Sequence, residues 1–82
     1  MNKYTYEELM KEINHSIEVQ KALGNRQVWF NTKQYDDVDV DYAISSLTFF
    51  GYEVIKNPYD TRFIENNTGT YKILYNHILI GW

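Results

Sequence analysis

Residues 40–54 read VDYAISSLTFFGYEV and combine the pattern of a helix with that of a strand. Apolar residues recur in the first part of the stretch at the spacing of one helix face, at Val40, Ala43, Ile44, Leu47 and Phe50. Gly51 then provides the left-handed residue on which many helices end. The segment from Tyr52 to Ile55 is aromatic and β-branched in part, which suits a strand. The stretch therefore predicts a helix that ends on glycine and leads directly into a strand.

A longer helix is predicted upstream, over residues 6–23. Thr5 and Glu8 have the spacing of a capping box, in which a hydroxyl and a carboxylate satisfy the first free N–H groups of a helix. The inward stripe is then predicted at Leu9, Ile13, Ile17 and Leu23, with Met10 beside it. Gly24 and Asn25 end this helix.

The remaining segments are short and strand-like. Residues 26–31 and 52–57 predict two strands, and an aspartate, Asp37 or Asp39, is expected to cap the helix between them. Residues 57–60 predict a turn, 62–64 a short strand and 66–69 another turn. Residues 70–75 and 78–82 are both strand-like, and form either two strands joined at Asn76-His77 or one long strand with an irregularity there.

The order of these elements predicts an α+β fold. Residues 1–82 are expected to form a single domain of order α-β-α-β-β(-β), with two helices packed on one face of a three- to four-stranded, mainly antiparallel sheet. A chain of 82 residues buries only about 60% of its unfolded surface. It has no cysteine to cross-link the core, so its 17% of aromatic residues must supply much of the burial.

Charge and hydropathy exclude several classes of function. The net charge of −3 gives no basic face for a duplex nucleic acid, so direct nucleic-acid binding is not expected. Residues 1–12 mix acids with lysines and lack the apolar core of a signal peptide. No apolar run approaches the roughly 20 residues of a membrane span, so no membrane partner is expected and the cytoplasm is the default compartment.

The acidic run before the second helix is the first candidate site, and comprises Asp36, Asp37, Asp39 and Asp41. Its spacing resembles the start of a calcium loop, but Tyr42 stands where that loop needs glycine and Thr48 where it needs glutamate. Two interpretations remain. Carboxylates are favoured at a helix N-terminus, and an acidic patch can also face a basic partner surface.

Catalytic and metal-binding patterns are weak. Glu12 and His15 have the spacing of half a carboxylate-bridged di-iron site, but the chain offers no second copy. Ser16, Ser45 and Ser46 fall on predicted helices without a nucleophile-elbow motif, and the turn at residues 67–69 lacks the lysine of a phosphate loop. The sequence therefore predicts a protein that is not an enzyme and has no cofactor or metal.

The aromatic residues give a second candidate site. Trp29 and Phe30 are adjacent on a predicted strand and must point to opposite faces of the sheet. The C-terminal half carries more aromatic side chains than so small a core holds, which predicts an exposed aromatic surface at Tyr59, Phe63, Tyr71 and Tyr75. Tyrosine and tryptophan are frequent anchors of protein interfaces.

These features together resemble small accessory proteins of tailed bacteriophages and prophages. In that loose group a helix ends in Gly-Tyr-x-Val and a terminal strand carries an aromatic residue near the C-terminus. The matching residues here are Val40, Ala43, Leu47, Gly51, Tyr52, Val54, Ile80 and Trp82. Residues 57–69 depart from the simpler members, because they exceed what a hairpin requires. The resemblance implies a phage setting, in which small proteins often bind and block one host protein.

The expected function is therefore stoichiometric inhibition of a host enzyme or defence complex in the host cytoplasm, for example by an anti-CRISPR-type protein. One alternative is a homo-oligomer that binds a nucleotide signal between subunits, with tyrosines stacking on the base and Arg26 or Arg62 on the phosphate. The other is a structural part of a virion or its assembly, which predicts homotypic association and no host target.

Overall fold

A computed structural model of the chain describes residues 5–60 and 72–82, which form two helices and two antiparallel sheets. The elements are α1 (Tyr6–Ala22), β1 (Gln27–Asn31), α2 (Asp37–Phe49), β2 (Glu53–Lys56), β3 (Tyr59–Asp60), β4 (Lys72–Ile73) and β5 (His77–Gly81). The two helices contact each other, α1 packs on β1, and α2 packs on β2. The predicted α+β class, with helices against a mainly antiparallel sheet, is confirmed.

Helix α1 begins at the predicted capping box. The hydroxyl oxygen of Thr5 accepts a hydrogen bond from the Glu8 N–H at 3.2 Å, and the Glu8 carboxylate accepts one from the Thr5 N–H at 3.1 Å. Leu9, Ile13 and Ile17 are buried, as the stripe predicts. Both the start and the inward face of α1 are thus encoded locally.

The end of α1 corrects the prediction for Leu23. The helix stops at Ala22, and Leu23 is an exposed cap residue and not part of the inward stripe. Leu23 follows Ile17 by six residues, a spacing that turns it away from a stripe repeating every three or four residues. Gly24 then reverses the chain with a φ of 83°.

Helix α2 begins at Asp37 and is capped by Asp36, so the prediction of a cap at Asp37 or Asp39 is wrong. Asp36 has extended backbone angles, and its carbonyl oxygen accepts the first helical hydrogen bond, from the Val40 N–H at 3.0 Å. Its carboxylate makes no capping hydrogen bond. Asp37 and Asp39 lie in the first turn, where the helix dipole favours negative charge.

Helix α2 ends just before the predicted glycine, but Phe50 does not lie on the buried face as predicted. The helix stops at Phe49, and Gly51 follows with a φ of 99°. Leu47 is buried, but Phe50 is the exposed cap residue and not the predicted end of the inward stripe. The Phe50 ring packs edge-on against Phe49, with centroids 5.6 Å apart, at the exposed end of the helix.

The main sheet has the strand order β1-β5-β2, with antiparallel pairing on both sides of β5. The C-terminal segment therefore forms two strands, separated by a turn at Tyr75–Asn76 in which Asn76 has a φ of 60°. They belong to different sheets, because β4 pairs with β3. The predicted turn at residues 57–60 is wrong for Tyr59 and Asp60, which form β3. The strand predicted at 62–64 lies outside the described residues.

The two faces of the main sheet have different surroundings. Val28, Ile78 and Ile80 point toward the helices and are buried in the core, which also contains Leu9, Ile13, Ile17, Tyr35, Val40, Ala43 and Leu47. Phe30 lies on the same side and stacks on Tyr35, with ring centroids 6.1 Å apart. Trp29 points to the opposite, outer face, because adjacent residues of a strand alternate between the two faces.

Candidate partner-binding surface

The acidic start of α2 is tied to β2 through Lys56. The Lys56 ammonium lies 3.0 Å from Oδ1 of Asp41 and 3.2 Å from Oδ1 of Asp37. The two carboxylates are four residues apart and thus share one side of the helix. Their hydrogen bonds, that of Asp41 first, raise the pKa of Lys56 above its ordinary value. Two of the four predicted acidic residues therefore already have a cation within the chain.

The other two aspartates of the run lie apart from this ion pair. Asp36 is exposed at the cap position, and Asp39 is half-buried on the side of α2 away from Asp37 and Asp41. The four carboxylates therefore surround the first turns of α2 and do not converge on one point. That arrangement suits the edge of a protein contact better than a metal site.

Tyr75 of the predicted aromatic surface and Asp37 of the acidic run line the same cleft. Its volume is about 390 Å³, and it is lined by Thr32, Lys33, Tyr35, Asp37, Lys56, Asn57, Tyr75 and Asn76. The Asn76 N–H donates a hydrogen bond to Oδ1 of Asn57 at 3.1 Å. Within residues 5–60 and 72–82, these are the two asparagines that have positive φ angles. The lining is polar and contains charges of both signs.

The rest of the predicted aromatic surface is only partly described. Tyr59 lies exposed on β3, and Tyr75 lies exposed in the turn before β5. Phe63 and Tyr71 lie outside the described residues. Of the two described members, Tyr75 lines the same cleft as Asp37, and Tyr59 does not.

The outer face of α2 carries an apolar stripe that the sequence analysis missed. Val38, Tyr42 and Phe49 are 65%, 65% and 85% exposed, and they share one face of the helix with Ser45. These four residues, here called the α2 outer stripe, lie at i, i+4, i+7 and i+11. They point away from the buried residues Val40, Ala43 and Leu47. Helix α2 is therefore apolar on two opposite sides.

Tyr42, one member of the α2 outer stripe, contacts α1 through Tyr6. The Tyr6 hydroxyl lies 2.9 Å from the Ser46 hydroxyl, and the Tyr6 ring packs edge-on against the Tyr42 ring at 6.4 Å. A shallow depression of about 290 Å³ lies in the stripe, lined by Val38, Asp41, Tyr42 and Ser45. An apolar surface with an acidic residue at its edge resembles the core and rim of a protein interface.

A signal for this stripe is present in the sequence. A helix that is apolar on only one side is expected on the surface of a small domain, whereas one that is apolar on several sides is normally covered on several sides. Val38, Tyr42 and Phe49 fall outside the inward set of α2. They could have been recognised as a second set at helical spacing.

The groups considered for catalysis remain dispersed. Within residues 5–60 and 72–82, no group of three or more histidines and carboxylates is arranged to hold a metal ion. His15 is exposed on α1, and the His77 Nδ1 lies 2.9 Å from the carbonyl oxygen of Tyr75. Ser46 contacts Tyr6, as described above. The absence of enzymatic activity remains a prediction.

Comparison with known proteins gives no assignment: no protein-family model, curated protein or solved structure matches this chain. Neither of the helices in the described part of the chain has the length and apolar character needed to cross a bilayer.

Proposed function

We propose that this protein acts by stoichiometric binding to another protein, as a phage-type inhibitor of a host enzyme or defence complex in the host cytoplasm. The observation that supports this most directly is the α2 outer stripe, an exposed apolar surface on a helix whose other side is already buried in the core. Exposed apolar side chains grouped on one face, in contrast to ones scattered singly, are typical of interaction sites.

The energetic reason is the cost of leaving these side chains in water. Burying about 300 Å² of apolar surface contributes on the order of 7 kcal/mol, before the entropy cost of association is subtracted. Tyr42 and Phe49 dominate this area, because aromatic side chains present the largest surfaces. Both are expected to be hot spots of the interface.

The partner surface that fits is an apolar groove with basic groups at its rim. A helix that presents residues at i, i+4, i+7 and i+11 docks into a groove along its length. Asp36 and Asp39 remain to pair with cations of the partner, since Asp37 and Asp41 already contact Lys56. Opposite charges at the rim mainly raise the association rate, so binding is expected to weaken as salt rises.

The test is capture of a partner with matched variants. Wild-type protein and the double variant Tyr42→Ala/Phe49→Ala are immobilised and exposed to a lysate of a bacterial host. The control is Leu23→Ala, which removes an exposed apolar side chain from the end of α1. We expect one protein to be retained by wild type and Leu23→Ala and lost with the double variant. Retention of no specific protein at micromolar concentration would count against the proposal.

A nucleotide signal is the second candidate, because the cleft beside Asp37 has suitable groups. Tyr35 and Tyr75 line it together with Lys33, and an aromatic ring and a cation are the groups that hold a base and a phosphate. The charge of Lys56 is already balanced by Asp37 and Asp41, however, which weakens the attraction for an anion. Calorimetric titration with cyclic and linear dinucleotides tests this candidate, and heat of binding that is lost in Tyr75→Ala would favour it.

A further inference from the structure

The outer edge of β1 offers an unusually open site for another strand. Strand β1 is an edge of the main sheet, and among the described residues only β5 pairs with it. Its sequence, Gln27-Val28-Trp29-Phe30-Asn31, contains no charged residue and no proline. Natural proteins usually protect an edge strand with such residues or with a bulge. The other edge strand, β2, does carry charges, at Glu53 and Lys56.

The hydrogen-bond pattern shows which backbone groups of β1 point outward. The Trp82 N–H donates to the Arg26 carbonyl at 3.0 Å, and the Thr32 N–H donates to the Asn76 carbonyl at 2.7 Å. Hydrogen-bonded pairs recur at every second residue of an antiparallel ladder, so the even-numbered residues of β1 face β5. The N–H and C=O groups of Gln27, Trp29 and Asn31 therefore point to the free edge.

These outward groups are self-complementary about Trp29. When β1 is placed antiparallel to the β1 of a second copy with Trp29 on the two-fold axis, each Gln27 faces the Asn31 of the other copy. Each of the three outward residues then forms a hydrogen-bonded pair with a residue of the other copy. No like charges face each other across the axis. Such a contact is isologous and closes at two subunits.

An apolar row on the outer face of the sheet continues across this junction. Leu79 is in register with Trp29 on one side and with Ile55 on the other. Trp29 and Ile55 are 37% and 54% exposed. Pairing at β1 would place the two Trp29 side chains next to each other and extend the row from three residues to six.

We propose that this protein forms a two-fold symmetric dimer in which the β1 strands of two copies pair antiparallel and join the main sheets into one of six strands. Both helix layers then lie on the same face of the joined sheet. Helix α2 packs on β2, which is the edge strand opposite β1 and the junction. Both α2 outer stripes therefore stay exposed in the dimer. The dimer therefore does not depend on the proposed binding function, and it carries two α2 outer stripes, one on each subunit.

The position of Trp29 on the axis allows a charge-pairing test. Size-exclusion chromatography with light scattering is applied to wild type, W29K, W29E and an equimolar mixture of the two variants, with folding checked by circular dichroism. We expect a dimer for wild type, monomers for each variant alone, and a dimer again for the mixture, because opposite charges then face each other. The matched controls I55K and I55E remove a side chain from the same row away from the axis, and we expect both to stay dimeric.

Several results would overturn the dimer. They are a monomeric wild type at tens of micromolar concentration, an oligomer larger than two, and a dimer that is insensitive to the charge at position 29. Hydrogen exchange in the unaltered protein gives a second measurement that does not depend on variants folding. The amides of Gln27, Trp29 and Asn31 should gain protection as concentration rises, while those of Val28 and Phe30 stay protected throughout. Unchanged exchange at all five positions would equally contradict the dimer.

Discussion

The ammonium group of Lys56 lies 3.0 Å from the carboxylate of Asp41 and connects the end of β2 to the second turn of α2. Asp41 lies between Lys56 on one side and the α2 outer stripe on the other, because it also lines the depression beside Tyr42. The ion pair and the α2 outer stripe thus lie on neighbouring sides of α2. Val38, Tyr42 and Phe49 point outward because the opposite side of α2, with Val40, Ala43 and Leu47, is buried in the core.

The Lys56–Asp41 pair is expected to make a small contribution to the free energy of unfolding. This contribution should change with pH. A double-mutant cycle with Lys56→Met and Asp41→Asn should give a coupling free energy of about 0.5 kcal/mol, since both side chains are exposed. The raised pKa of Lys56 favours the folded state below the ordinary value of 10.5, and this contribution is lost as the pH rises through the folded value. Urea denaturation between neutral and alkaline pH measures both effects.

The control for this measurement is the pH profile of Lys56→Met. Alkaline pH also acts on groups other than Lys56, so only the difference between the two profiles reports on Lys56. A Lys56→Met variant that lost stability with pH as steeply as wild type would show that the ion pair makes no such contribution.

The capping box should contribute about 1 kcal/mol to the free energy of unfolding. Thr5→Ala removes the hydroxyl that accepts from the Glu8 N–H and leaves that donor without its capping partner, so the free energy of unfolding should fall by this amount. Thr5→Ser keeps the hydroxyl and should lie within a few tenths of a kcal/mol of wild type. Equal losses for the two variants in chemical denaturation would mean that the hydroxyl does not cap α1.

Gly51 is required for its backbone conformation and not for space. A Cβ placed on Gly51 would have no heavy atom within 4 Å, yet the φ of 99° is one that side-chain-bearing residues rarely adopt. Gly51→Ala should therefore lower stability by about 1–2 kcal/mol. Gly81→Ala is the matched control, because its Cβ would meet only the carbonyl oxygens of Arg26 and Glu53 at 3.8 and 3.9 Å. A thermal melt in which Gly81→Ala cost more than Gly51→Ala would contradict this account.

The two sides of α2 should respond differently to truncation. Leu47→Ala removes a side chain that is 1% exposed and should cost about 2–5 kcal/mol of unfolding free energy. Phe49→Ala removes a ring that is 85% exposed and should change stability by less than about 0.5 kcal/mol. Urea denaturation of both variants separates the side that folds the protein from the side available for binding. A large loss in Phe49→Ala would assign that ring to the fold.

Local features of the fold could be predicted from the sequence because short-range chemistry determines them. Thr5 and Glu8 are three residues apart, and the left-handed residues that follow the two helices are Gly24 and Gly51, because glycine adopts that conformation at little cost. The strand pairing could not be predicted in the same way. Whether β4 and β5 are one strand or two depends on partners distant in the chain, since β5 pairs with β1 and β2 while β4 pairs with β3.

The candidate site was predicted only in part for a similar reason. The aspartates at the start of α2 were recognisable, but Lys56 approaches Asp37 and Asp41 only through the packing of β2 beside α2. The α2 outer stripe was missed because the inward set of apolar residues already accounted for a helix. Its exposure became evident only once the buried face of α2 was known.

Calorimetric titration of the captured partner measures whether the α2 outer stripe binds a protein. Wild-type protein should bind with one chain per site. Tyr42→Ala/Phe49→Ala should weaken binding by about 1,000-fold, because two aromatic hot spots of about 2 kcal/mol each contribute about 4 kcal/mol together. The Leu23→Ala control should bind like wild type. Unchanged affinity in the double variant, with its fold intact, would contradict the account.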